Sequence, residues 1–189
     1  MLLDIYKQIR EVKYKPRQKG GKSKVHKEIE KRILAETGMK SGAFAESLIE
    51  EIVSRAGFEF DSGDHLRISP NSKLTKKQYF SPDGYIKELD VYLESKNYQF
   101  FSNGTANEKL YGFLAKVPHY DKPVILVFAG EHENRMHDEC NSIWEIYNDN
   151  PDFDDHIFAG PIKQLRDQGK LLLTSVLGLE NFIKEMAND

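Results

Sequence analysis

The chain has a single cysteine, Cys140, among its 189 residues, which excludes an intrachain disulfide and a cysteine-rich zinc site. It has no apolar run approaching the roughly 20 residues that cross a bilayer as a helix, so no membrane partner is expected. The N-terminus, MLLDIYKQIR, carries Asp4 and further charges too early for a secretory signal. These absences together lead to the expectation of a cytoplasmic protein. Repeats and low-complexity tracts are also lacking, and the net charge is only −3. What is present is 39% hydrophobic and 30% charged residues, the composition of a charge-rich globular chain with enough length for one core.

The small net charge conceals an uneven distribution. Arg10, Lys13, Lys15, Arg17, Lys19, Lys22, Lys24, Lys27, Lys31 and Arg32 crowd the N-terminal part, with few acids between. From Glu131 to Asp155 the balance reverses, with Glu133, Asp138, Glu139, Glu145, Asp149, Asp152 and Asp154 facing only Arg135. Such a chain can present a cationic face to a polyanion and an acidic face away from it. Two solvated surface stretches explain the same pattern.

Hydrophobic periodicity predicts helices over 2–13, from Ser23 to Gly38, and from Ser41 to Arg55, the last stopping at Gly57. Residues 14–22, punctuated by Pro16 and Gly20-Gly21, read as a basic loop, and 58–80 as a strand and a loop bearing Lys73, Lys76 and Lys77. A helix from Thr105 to Lys116 opens with the capping-box pattern Thr105–Glu108. Pro123 to Ala129 is an unbroken apolar run, as in a strand buried on both faces. A short helix from Pro161 to Gln168, with Pro161 at its first position, is followed by a strand from Leu171 to Ser175 and a helix from Leu179 to Met186. This order predicts an α/β fold, a central mixed sheet flanked by helices, in one domain spanning 1–189. Within it, a basic N-terminal region covers about 1–40 and the core about 41–177.

The stretch SPDGYIKELDVYLESK carries the chemistry. From Leu89 to Lys96 side chains alternate, so Asp90, Tyr92, Glu94 and Lys96 share one face of a strand. With Gly84 to Ile86 as the preceding strand, a two- or four-residue turn places Asp83 opposite Tyr92, diagonal to Glu94, on that same face. A three-residue turn would reverse its parity. Two neighbouring carboxylates repel unless a cation lies between them. Hard carboxylate oxygens suit Mg²⁺, which also accepts water and phosphate oxygens. An adjacent lysine can orient an attacking water, which completes the parts needed to hydrolyse a phosphodiester. An ordinary solvated strand carries the same residue types, and geometry alone leaves both readings open.

At these residues the chain resembles the PD-(D/E)XK nuclease superfamily, and type II restriction endonucleases in particular. The signature reads Pro82-Asp83, ten residues, then Glu94-Ser95-Lys96, on a strand–turn–strand that follows a helix with acids and precedes a buried strand. The segment SNGTANEKL, Ser102 to Leu110, is similar to the stretch after the catalytic lysine in some of these enzymes, and the likeness covers roughly Ser41 to Gly130. The resemblance implies a restriction-endonuclease-like core and a Mg²⁺-dependent endonuclease in which Asp83 and Glu94 ligate the metal and Lys96 assists the water. It also implies a further acid on the preceding helix: Glu46 first, with Glu50 one turn on. Asp90, in Glu88-Leu89-Asp90-Val91, offers another alignment, but YQFFS then supplies no second acid.

The implied substrate is double-stranded DNA cut at a specific sequence by a homodimer, with a possible partner methyltransferase acting on the same site. Lys13, Lys15, Arg17, Lys19, Lys22, Lys24, Lys73, Lys76 and Lys77 are the candidate phosphate contacts. Asn103, Asn107, Lys109 and Arg67 are candidates near the bases. The alternatives are a structure-selective nuclease of the same superfamily, a junction resolvase or repair enzyme, and a non-catalytic DNA-binding module. His132, His137 and Cys140 match no standard zinc spacing, Cys140 lacks a patterned base, and Gly20-Gly21-Lys22-Ser23 lacks the strand and upstream glycine of a phosphate loop.

Overall fold

The computed structural model describes residues 1–10, 24–62, 81–96, 111–128 and 138–188, giving backbone alone at residues 10, 24–30, 41 and 138–142. Three helices come first: α1 (Leu2–Arg10), α2 (Lys24–Thr37) and α3 (Ser41–Arg55). Strands β1 (Phe60–Asp61), β2 (Gly84–Ile86) and β3 (Val91–Lys96) follow, then a helical turn at 111–114 and β4 (Val124–Phe128). Helices α4 (Asp138–Tyr147) and α5 (Ala159–Asp167), strand β5 (Leu171–Ser175) and helix α6 (Val176–Asn188) complete the described chain. Strand order is β1-β2-β3-β4-β5. The first three strands pair antiparallel and the last three parallel, so the sheet is mixed, as the sequence predicts.

Each face of the sheet carries its own core. Phe44, Leu48, Ile49 and Ile52 of α3 pack with Ile86, Leu93, Ile125 and Val127 of the sheet, and with Tyr6 of α1, Ile33 of α2 and Ile183 of α6. On the opposite face Tyr92, Leu126, Phe128 and Leu173 meet Phe113, Tyr120, Ile143 of α4 and Ile162 of α5. Period-two alternation sends neighbours such as Tyr92 and Leu93 into different cores. Every residue of β4 is buried, because helices cover it from both sides. Among the described residues no helix is long and apolar enough to cross a membrane.

Several elements depart from the expected boundaries. The described part of α1 ends at Arg10, and α5 begins two residues early, at Ala159, so Pro161 is its third residue, where its missing N–H still leaves no bond unmade. α6 starts directly after β5, at Val176. Gly57 does end α3: at φ +88 its N–H reaches Ser54 O at 3.1 Å while Phe58 N reaches back to Val53 O. The acidic C-terminal stretch is less one-sided than its sequence. Asp149 pairs with Arg166 and Lys163, and Asp154 with Lys163, all from α5. The aromatics Trp144, Tyr147 and Phe153 pack partly buried against the second core.

The strand that leads to the site depends on a glycine. A Cβ on Gly84 would lie 2.1 Å from the Phe60 ring, which crosses the strand there. Gly84→Ala is expected to push that ring aside and cost about 1–3 kcal/mol through overpacking. Urea denaturation checks it: wild-type stability in the variant would mean that the Phe60 ring gives way freely.

Candidate active site

The turn between β2 and β3 takes four residues, Lys87 to Asp90, and pairs Gly84 with Leu93, Tyr85 with Tyr92 and Ile86 with Val91. Carried one step beyond the ladder, this register sets Asp83 against Glu94, not against Tyr92 as the sequence reading has it. Within the ladder the parity is as expected, because Tyr85 and Tyr92, directly opposed and in tilted ring contact at 5.6 Å, lie on the same face. Asp90, the last turn residue, has φ +54. That left-handed backbone is one an aspartate adopts more readily than most residues. Its carboxylate accepts hydrogen bonds from Tyr85 Oη and Lys122 Nζ. The Lys122 ammonium, ahead of Tyr85, holds Asp90 below the usual aspartate range. It is thus engaged at the turn.

Glu94 is the buried acid. It is 6% exposed, the one acid buried in the strands among the described residues. Its Oε1 accepts from Lys96 Nζ, and its Oε2, buried, has no hydrogen-bond partner among the described residues. Burial is the main force raising its carboxyl above the ordinary glutamate value; Lys96 opposes this, Asp83 adds to it, and Lys116 opposes it more weakly. Lys96 also donates to Ser95 O at 3.1 Å, and its ammonium stands 5.5 Å from the centre of the Phe113 ring, a cation–π distance. The lysine is therefore held from three sides, by a carboxylate, a carbonyl and a ring.

Asp83 lies where β2 has parted from β3. Past Gly84↔Leu93 the main-chain ladder stops, and a strand N–H there needs another acceptor. Asp83 supplies it: Oδ2 accepts from Ser95 N at 2.7 Å and from Ser95 Oγ at 3.1 Å. Glu46, on α3, reaches the surface, yet enough protein surrounds its carboxyl for desolvation to raise its pKa; Asp83 adds repulsion and Lys96 attraction. Four residues expected from the sequence thus act on one another electrostatically: Glu46, Asp83, Glu94 and Lys96. Glu50, one turn along α3, is exposed.

Sequence reasoning missed two neighbours. Tyr120 is 2% exposed; burial first, then Glu94 and Asp83, push its hydroxyl above the ordinary tyrosine range. Its ring meets Tyr92 edge-on at 5.6 Å. No sequence pattern marks it, since it follows a 3₁₀ turn, Val117–His119, far along the chain. Ser95, the middle residue of Glu-Ser-Lys, carries no signal of its own in that pattern.

Other expected residues lie outside the described ones: Lys13, Lys15, Arg17, Lys19, Lys22, Arg67, Lys73, Lys76, Lys77, Asn103, Asn107 and Lys109, with His132, His137 and the capping box at Thr105 and Glu108. Lys24 and Cys140 are described by backbone only, in α2 and α4. Among the described residues no three His, Cys, Asp or Glu side chains are gathered to hold a metal ion unaided. Mg²⁺ does not require such a cage, since it binds through one or two carboxylates and keeps water and phosphate oxygens. The hard donor set and the partnerless Glu94 Oε2 fit a divalent ion. Searches of protein-family models, curated proteins and solved structures found no match to this chain.

The raised Glu94 pKa makes a signed prediction. A carboxyl whose folded value lies above its unfolded one, about 4.3, contributes most below that value and loses its contribution as pH rises through the folded value. Lys96→Met removes the main attraction and raises the folded value further. The variant is expected to match wild-type stability near pH 4 and to lose up to about 3 kcal/mol at pH 8. Urea melts across that range check it; a pH-independent loss would assign the cost to packing on Phe113 instead.

Proposed function

We propose that this chain is a Mg²⁺-dependent endonuclease of double-stranded DNA, with a restriction-endonuclease-like core of the PD-(D/E)XK type and the site specificity of a type II restriction enzyme. The observation that carries the reading is the meeting of Asp83, Glu94 and Lys96 at the end of β3, with Glu94 Oε2 buried and unpartnered.

In this reading Asp83 and Glu94 hold the ion, with Glu46 placed to adjust the charge around Asp83. When bound, the ion supplies positive charge against the negative charge that builds on the phosphate during displacement. The chain's own residues orient the reaction. Lys96, fixed by Glu94, the Ser95 carbonyl and Phe113, directs a water toward phosphorus by donating hydrogen bonds from a set position. The water oxygen bonds to phosphorus and gives up a proton to solvent, the bridging P–O bond breaks, and the departing oxygen takes up a proton from solvent. Basic residues between Lys13 and Lys24, and from Lys73 to Lys77, would hold the duplex through its phosphates, an attraction that weakens steeply with salt. A homodimer would match one active site to each strand of a palindromic sequence.

The test is phage or plasmid DNA incubated with and without Mg²⁺ and read on a gel. Discrete bands that need Mg²⁺ are expected from wild type. Lys96→Ala is expected to abolish cleavage while retaining DNA binding in a mobility-shift assay. Cutting confined to branched substrates would instead indicate a resolvase-like enzyme. Cleavage at the wild-type rate by Lys96→Ala would remove the lysine from the chemistry.

A further inference from the structure

Ser95 sits between the two residues expected to do chemistry and touches a third. Its N–H and its hydroxyl both bond one oxygen of Asp83, Oδ2, at 2.7 and 3.1 Å. We infer that Ser95 is a positioning residue: it clamps Asp83 Oδ2 to β3 and so turns the other oxygen, Oδ1, toward the ion that Asp83 shares with Glu94. This rests on the metal-site reading above and names a further residue that serves it.

The argument is geometric. Asp83 follows Pro82 and precedes the first paired residue of β2, so no ladder bond among the described residues fixes it. A carboxylate on an unpaired residue has two side-chain torsions to lose before it binds anything. Two donors converging on one oxygen remove that freedom in advance, and neither of them uses Oδ1. The backbone donor is supplied by any residue except proline; the hydroxyl is specific to serine or threonine. Alternation of the backbone N–H groups explains the arrangement. Tyr92 N points to β4, where it bonds Pro123 O, so three residues on Ser95 N points to the side that β2 has left, and its hydroxyl turns to the same Asp83 oxygen.

The experiment measures Mg²⁺ binding directly, by isothermal titration calorimetry on the full chain without DNA. Wild type, Asp83→Asn, Ser95→Ala, Ser95→Thr and the double variant D83N/S95A are compared, with thermal melts run alongside. Loss of one charge-assisted hydrogen bond while its backbone companion remains is expected to weaken Mg²⁺ binding about 5- to 10-fold in Ser95→Ala. Ser95→Thr, which keeps the hydroxyl, is expected to restore it. In the Asp83→Asn background, Ser95→Ala is expected to add nothing further. Wild-type affinity in Ser95→Ala, or equal weakening in Ser95→Ala and Ser95→Thr, would overturn the positioning role. If wild type binds Mg²⁺, Asp83→Asn abolishes binding and Ser95→Ala does not change it, only this inference fails. If wild type binds no more Mg²⁺ than Asp83→Asn, the metal-site reading fails and this inference with it.

Discussion

A carboxylate buried at the edge of an apolar core is the constraint that organises the rest of this molecule. Glu94 stands among Tyr92, Leu126 and Phe128, residues that would favour an uncharged neighbour. A charge in such a place is tolerated only when paired and hydrogen-bonded. Lys96 provides the pair, and the short reach of two residues along one strand makes it the natural partner. The pairing is incomplete, because one oxygen of Glu94 has no donor among the described residues. Half-satisfied buried groups are costly for stability.

The sheet topology explains why the acids meet at this point and no other. β3 is where the antiparallel half of the sheet meets the parallel half, with β2 on one side and β4 on the other. β2 begins only at Gly84, so Asp83, just before it, is outside the ladder and beside the C-terminal end of β3. α3 packs under β3 on the opposite face, anchored by Phe44, Leu48 and Ile49. That packing brings Glu46, two residues beyond Phe44, within electrostatic reach of Asp83 and Lys96. The chain's own N-terminus stiffens the same helix: Glu51 accepts hydrogen bonds from Leu2 N and Leu3 N, the open donors of α1.

Much of this was legible in the sequence where the signal was local. β4 announced itself as an apolar run because it is buried on both faces, and β3 as an alternation of apolar and polar residues, although both its faces are covered, Leu93 by one core and Tyr92 by the other. Helix α3 was bounded correctly by its spacing and by Gly57. The site was legible as residue types on one face, but not in its register. Loop length decides register; a four-residue turn is one of the lengths the sequence allows, and the pairing of Ile86 with Val91, with the positive φ of Asp90 and its bonds to Tyr85 and Lys122, selects it. The Gly84–Phe60 approach, the contact of Tyr120 with Tyr92 and the clamp by Ser95 join residues 12 to 28 positions apart in sequence. No periodicity encodes such contacts, since each depends on where two separate segments happen to end.

Charge counting links the incomplete pairing to the proposed chemistry. Asp83, Glu94 and Glu46 act on one another or on Lys96, and Lys116 adds a second, weaker attraction on Glu94. Asp83 gives one oxygen to Ser95, which is uncharged and leaves its negative charge in place. Lys96 offsets Glu94 but cannot also neutralise Asp83, whose repulsion Glu94 and Glu46 both feel. A fold selected for stability alone would replace Glu94 with an apolar residue of similar size, since buried ion pairs seldom outperform good packing. Keeping the acid, its orphaned oxygen and a clamped neighbour is the arrangement expected of a site that is completed by something positive from outside, with the stability cost borne for function.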